Sequence, residues 1–214
     1  MTAIAEKKPR RKATQPVVPA IPAALIYEMW NGKPVYYKGY RGVLTGKKTV
    51  EEVMRSAAQS CSGMQGVMVS LIHGHLFAII NRKRYLLATN EIGVHLALNS
   101  NLANDVLIYE KEKVGKLKGK FFDVPPKVVI EIDIKADAAE FDNGADGYLM
   151  EKARKLLDFG VEKVLWVITS AQKTYVINKN DATWYVVDWS EDITILDGCI
   201  LNIKQLLDED EIEY

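Results

Sequence analysis

From Lys127 to Lys135 the chain reads Lys-Val-Val-Ile-Glu-Ile-Asp-Ile-Lys, and the pattern predicts a strand. Side chains in a strand point to opposite faces at period two. Val128, Ile130, Ile132 and Ile134 share one face; Val129, Glu131, Asp133 and Lys135 share the other. The apolar face calls for a core. The opposite face sets two acids and a base in a row. Carboxylates at this spacing repel and raise each other's proton affinity, and hard oxygen ligands beside one another suit a divalent cation. A solvated strand face and a cation site are both open readings of the stretch.

The same reading orders the rest of the chain. Asn31-Gly32 lies between two Tyr- and Val-containing runs and predicts a hairpin over 27–40. Thr49 followed by Glu52 is a capping box that starts a helix. Met68, Val69, Ile72, Leu76, Ile79 and Ile80 have helical spacing and predict a helix over 64–81. Short strands are expected at 86–89 and 94–98, and one at 105–109 that opens on Asp105. Residues 111–120, with five lysines and two glycines, predict an exposed loop. A helix follows over 145–159, with Gly160 at its C′ position. Val164 to Ile168 is a continuous apolar run, as in a central strand. Strands at 174–178, 184–189 and 193–196 and a closing helix at 201–207 complete the pattern. The fold class is mixed α/β, a central sheet flanked by helices.

The helix over 145–159 carries an anomaly. Leu149, Ala153, Leu156, Leu157 and Phe159 sweep one apolar arc, and Lys152 falls inside it. Its amine either snorkels to water or reaches the carboxylates of the preceding strand. A charge in an apolar arc is costly, so Lys152→Met is expected to fold as well as the parent or better.

Composition narrows the class. The chain has 214 residues, 48% hydrophobic and 26% charged, as in globular proteins. Formal net charge is zero, so a nucleic-acid partner would need a local basic patch rather than an overall field. The two cysteines, Cys61 and Cys199, form no CxxC motif and point to a reducing cytoplasm. No apolar run reaches the 18 residues of a membrane span. Residues 1–24 combine a basic cluster (Lys7 to Lys12) with Pro16, Pro19 and Pro22. They are expected to be a disordered tail, with a nonspecific DNA-binding arm as the alternative. Residues 25–208 are expected to be one domain and 209–214 an acidic, frayed tail.

Asp105, Glu131 and Lys152 stand in an order that resembles the PD-(D/E)XK nuclease superfamily, specifically its Uma2 branch of restriction-endonuclease-like proteins. The matching stretches are Tyr27-Glu28-Met-Trp-Asn-Gly32, Asn104-Asp105-Val-Leu-Ile-Tyr, Pro126-Lys-Val-Val-Ile-Glu131, Glu151-Lys152 and Gly160-Val-Glu-Lys-Val-Leu-Trp166. Leu196-Asp-Gly198 through Leu207 is similar to the branch's closing element. The chain departs from the branch in three places. Asn104 replaces a proline; Asp133, Lys135 and Asp137 replace a Ser-Pro-rich stretch; and Gln65 stands near a position where the branch often has a histidine. His73 and His75 are not assigned as ligands.

The resemblance implies a restriction-endonuclease-like fold and metal-assisted hydrolysis of DNA phosphodiester bonds. Mg²⁺ or Mn²⁺ would be held by Asp105 and Glu131, with Asp133 as a further ligand, and a lysine would orient the attacking water or stabilise developing charge. Two registers of the lysine stay open: Lys152 on the helix, or Lys135 in a literal Asp133-x-Lys135. Phosphate contacts would come from Arg82 to Arg84 and the 111–120 loop. A homodimer is expected, with strands near Trp184 and Trp189 at the interface. Two other readings use the same scaffold: a nucleic-acid-binding protein that does not cut, and a non-enzymatic oligomerising protein.

Overall fold

The computed structural model describes residues 21–59, 63–117, 121–181 and 183–214. The expected basic tail therefore lies outside the described residues up to residue 20, as do Cys61 and part of the lysine-rich loop. Asn31 and Gly32, both at positive φ, turn β1 (Ile26–Trp30) into β2 (Lys33–Tyr36). A helical turn, α1 (Arg41–Leu44), precedes α2 (Val50–Gln59). The capping box forms: Glu52 N–H donates to Thr49 Oγ1 at 3.0 Å, and Thr49 N–H donates to Glu52 Oε2 at 2.6 Å. Next come α3 (Gly63–Ile79) and a long hairpin of β3 (Tyr85–Ala97) and β4 (Ser100–Glu110). The two strands expected at 86–89 and 94–98 are thus one, bulged between Thr89 and Ile92, where Asn90 and Glu91 take left-handed φ. Lys111–Val114 forms α4, a helical turn where a loop was expected.

The strand expected over 127–135 is shorter. β5 runs Val128–Ile132 and stops because Asp133 adopts φ +56°. It also has core on both sides. Val128, Ile130 and Ile132 pack with α3, and Val129 packs with α5 (Gly144–Phe159). After α5 come β6 (Lys163–Ile168), β7 (Lys173–Asn178), β8 (Tyr185–Asp188), β9 (Ile193–Leu196), β10 (Cys199–Leu201) and α6 (Ile203–Glu209).

The main sheet has the order β2-β1-β4-β5-β6-β7-β8, with β3 also paired to β4. β5 and β6 are parallel, which is why α5 must cross between them; the other pairs are antiparallel. One face packs on α3, α6 and the β9–β10 hairpin, the other on α5. A smaller cluster joins Leu25, Tyr40 and Val53. No helix among the described residues is long and apolar enough to cross a membrane. The C-terminus is folded back rather than frayed: Ile212 N–H donates to the Leu207 carbonyl, and the Tyr214 ring lies 5.7 Å from Trp189. Trp189 is itself buried in the core; the exposed apolar side chains of β8 are Tyr185 and Val186.

Candidate active site

Glu131 faces α5 because it shares the odd-numbered face of β5 with Val129. The antiparallel register Val106↔Ile130 and Leu107↔Val129 continues by one pair to set Asp105 beside Glu131. Asp105 is therefore in the middle of β4 rather than at its start. Across from both, the apolar arc of α5 turns toward the sheet and carries Lys152 with it.

Lys152 is completely buried. Its ammonium donates to the Ala103 carbonyl at 2.7 Å and pairs with Glu28 Oε1 at 2.9 Å. It also stands 3.1 Å from Glu131 Oε1. Both carboxylate contacts are ion pairs, and Glu131 Oε1, unlike Glu28 Oε1 with its Ala103 N–H donor, is a buried acceptor with no other partner. Rings of Trp166, Tyr27 and Tyr148 surround the ammonium at 5.5, 5.8 and 5.9 Å. Burial opposes the charge on Lys152, but Glu131 and Glu28 outweigh it and hold the amine above the ordinary lysine value. Of the two sequence readings, Lys152 reaches the carboxylates and does not snorkel.

The second lysine is also drawn in. Lys135 pairs with Asp105 Oδ1 at 3.0 Å and with Glu91 Oε1 at 2.8 Å. Its segment is pinned beside β2 by Lys38 N–H donating to the Lys135 carbonyl at 3.0 Å. The other Asp105 oxygen accepts from Ile132 N–H at 2.9 Å. Burial disfavours the Lys135 charge, yet Asp105 and Glu91 raise its affinity for the proton overall. Four carboxyls and two ammoniums thus meet here, an excess of two negative charges if all are ionised. Glu131 answers the crowding with its proton: burial pushes its carboxyl up to about 8, Lys152 offsets part of this, and Asp105 and Glu28 add to it.

Asp133 is placed differently. The left-handed turn takes it out of the alternation, and both its oxygens are occupied by Thr169, at 2.8 Å from the backbone N–H and 2.7 Å from the hydroxyl. Among the described residues no three His, Cys, Asp or Glu side chains converge as a ready-made metal cage. Gln65 supports the site from the other face of the sheet, donating to the Ile132 carbonyl at 2.6 Å. His75 lies within hydrogen-bond distance of the Ile200 carbonyl, and His73 stacks on Phe77. Of the expected phosphate contacts, Arg84 pairs with Glu110 and Asp197, and Lys113 pairs with Glu110; residues 118–120 lie outside the described set.

The cluster reaches the surface through Glu91, whose side chain is 43% exposed, and through Lys135. Lys135 also lines a cleft of about 490 Å³ with Lys38, Asp146, Thr169, Ser170 and Tyr175. Glu28 and Glu91 are members that the sequence reading missed. Glu28 had a signal in its place within the Tyr-Glu-x-x-Asn-Gly hairpin; Glu91 is turned inward by a bulge that no periodicity announces.

No family model matches the sequence, and no curated protein matches it. Among solved structures it is similar to one described as "a putative nuclease belonging to DUF820" from Anabaena variabilis ATCC 29413. The TM-score is 0.55 and the identity 14%, over 85% of this chain and 89% of that one. The expected fold class holds: the chain has the mixed α/β fold of that structure, a large mixed central sheet flanked by helices.

Proposed function

We propose that this chain is a metal-dependent nuclease that hydrolyses DNA phosphodiester bonds. The observation that carries the reading is the convergence, from three different elements, of Asp105, Glu131 and Lys152 in one buried, acid-rich cluster. The donor set fits Mg²⁺ or Mn²⁺. Mg²⁺ is commonly held by one or two carboxylates with water and substrate phosphate oxygens completing its shell. Glu131 Oε1 is a buried acceptor lacking a hydrogen bond, and with all four carboxyls ionised the excess charge would equal that of one divalent ion. Asp105 and Glu131 would hold the ion, which when bound lowers the pKa of its water and neutralises phosphate charge. Lys152 stabilises negative charge developing on the phosphate, and the walls of Tyr27, Tyr148 and Trp166 keep bulk water from screening it. Asp133 is left with a structural task, tying the end of β5 to the end of β6.

The test is nicking of supercoiled plasmid with Mg²⁺, Mn²⁺ or EDTA, using Asp105→Asn and Glu131→Gln as controls. Metal-dependent cleavage lost in both variants supports the reading; no cleavage with either metal defeats it. One observation favours a protein that binds nucleic acid without cutting: both Asp105 oxygens already have donors, Ile132 N–H and Lys135. Salt-sensitive DNA binding with no cleavage would select that alternative. We further propose a homodimer, since two active sites match the twofold symmetry of duplex DNA. The buried Trp189 moves the proposed contact to the Tyr185–Val186 edge, and light scattering that gives a monomer mass at micromolar concentration rules the dimer out.

A further inference from the structure

We propose that Lys38, Lys47 and Lys48 form the surface that holds the phosphate backbone of DNA and lays it across the mouth of the cleft at Lys135. The proposal rests on the nuclease reading for why DNA is bound there, while the surface itself stands on charge and geometry. The chain is neutral as a whole, yet residues 29–50 carry five cations, Lys33, Lys38, Arg41, Lys47 and Lys48, and no acid. A neutral protein attracts a polyanion only through such a local patch. The fold gathers three of the five. Gly39, at φ +90°, follows Lys38 and lets the chain turn into α1. Lys47 and Lys48 N–H both donate to the Gly42 carbonyl, at 2.9 and 3.0 Å, so the chain doubles back on that turn. The Lys48 stem lies against Gly42, where an added Cβ would be 3.0 Å from its Cγ and Cδ. Its ammonium ends beside Gly39, 3.6 Å from the place of a Cβ there, next along the chain to Lys38. All three lysines are exposed, and among the described residues none makes an ion pair or a hydrogen bond through its ammonium. Arg41, by contrast, pairs with Glu140 at 3.3 Å. Of the acids that follow in the chain, Glu51 pairs with Arg55, and Glu52 accepts from Thr49 N–H. Like charges held together without counter-ions repel, and phosphates in a row relieve that repulsion.

Lys38 ties this patch to the acid cluster. Its N–H donates to the Lys135 carbonyl at 3.0 Å, and Lys135 Nζ stands 3.0 Å from Asp105 Oδ1. Lys38 and Lys135 line one cleft with Thr169 and Ser170, and Asp146 is part of the same lining. A backbone seated on the three lysines therefore passes the point where the cluster comes to the surface. The basic residues at the start of β3 do not have this placement. Arg82 and Lys83 are exposed too, but they precede Tyr85, whose β4 partner Glu110 is roughly 16 Å along the strand from Asp105. Beside them Arg84 is tied to Glu110 and Asp197, and Lys113 to Glu110.

The experiment measures binding of a short labelled DNA duplex by fluorescence anisotropy over a series of NaCl concentrations, in EDTA and again in Ca²⁺. Each lysine that neutralises a phosphate contributes about 0.9 to the slope of log K against log salt. The triple variant Lys38→Gln/Lys47→Gln/Lys48→Gln should therefore lower that slope by about 2.7 and raise Kd at about 0.1 M salt on the order of 10²-fold. Arg82→Gln/Lys83→Gln removes two exposed cations from the distant surface and should change the slope by less than about 1. An unchanged slope in the triple variant, or a larger loss in the Arg82 and Lys83 variant, overturns the proposal. So does a wild type that binds no DNA in either buffer, whether or not it binds anionic phospholipid vesicles. The melting temperature checks that the triple variant is folded. Should it fail to fold, Lys38→Gln alone carries the test, with an expected slope loss of about 0.9. If the wild type binds DNA through these lysines and does not cut it, the nuclease reading falls and this surface stands. If it cuts DNA while the triple variant binds as tightly as wild type, this surface falls alone.

Discussion

Replacing Lys152 by Met separates what the apolar arc suggests from what the tertiary site demands. Taken from the helix alone, the change should relieve a buried charge and leave folding intact or improved. In the folded protein Lys152 is the counter-ion of Glu28 and Glu131, both almost inaccessible. Breaking a buried pair by removing one partner costs about 3–5 kcal/mol. Two features pull the value toward the lower end. Glu28 keeps Trp30, Tyr148 and Ala103 N–H as donors, and Glu131, already raised to about 8, stays protonated near neutral pH. For a chain of this size each kcal/mol shifts Tm by about 2–4 °C, so a loss of about 3 kcal/mol lowers it by roughly 6–12 °C. Thermal unfolding followed by circular dichroism, at neutral pH in EDTA, measures the loss. Cleavage in the same preparation should fall about 10²–10³-fold. A Lys152→Met protein melting at or above wild type would refute the ion-pair argument. Lys135→Met is the comparison for the other register. It leaves Asp105 its Ile132 N–H donor and Glu91 partly in water, so it should cost less stability. If it alone abolished cleavage, the Asp133-x-Lys135 register would be the working one.

Three further outcomes follow from the same site and its surroundings. Protein stripped by chelator should be stabilised by Mg²⁺ or Mn²⁺, by about 2.7 kcal/mol at a hundredfold excess over Kd; calorimetry should find the shift absent in Asp105→Asn and retained in Asp133→Ala. Without metal, Glu131 keeps its proton in the folded state up to about 8, whereas the unfolded chain releases it near its ordinary value of 4.5. Stability must therefore fall as pH rises through that window, and urea unfolding should show a steeper fall for wild type than for Glu131→Gln. At Gly147 an added Cβ would lie 1.7 Å from the Asp142 carbonyl oxygen, so Gly147→Ala must displace the entry to α5. The cost is about 1–3 kcal/mol or more, read as a lower urea midpoint, and an unchanged midpoint would show that this turn is not tightly held.

Much of the fold is legible along the chain because its causes are local. Asn31-Gly32 permits a tight turn wherever it occurs, Thr49 and Glu52 satisfy helix-end donors within four residues, and Gly160 ends α5 at positive φ. The arc of α5 already placed Lys152 on the buried side; the alternation set Glu131 opposite the apolar face and left open whether that face is solvated, and the packing of α5 is what buries it. What periodicity could not supply was where that alternation stops. Asp133 leaves it because Thr169, 36 residues later, offers two donors to its carboxylate. Nor could it name the partners. Lys135 meets Asp105 instead of Asp133, and Glu91 joins them through a bulge. Glu28 arrives from a strand that touches β4 at Met29 and Asn101. Side-chain periodicity reports which face a residue takes, since φ and ψ repeat locally. Which charges share a buried pocket depends on strand order and register, set by the packing of the whole sheet against α3 and α5.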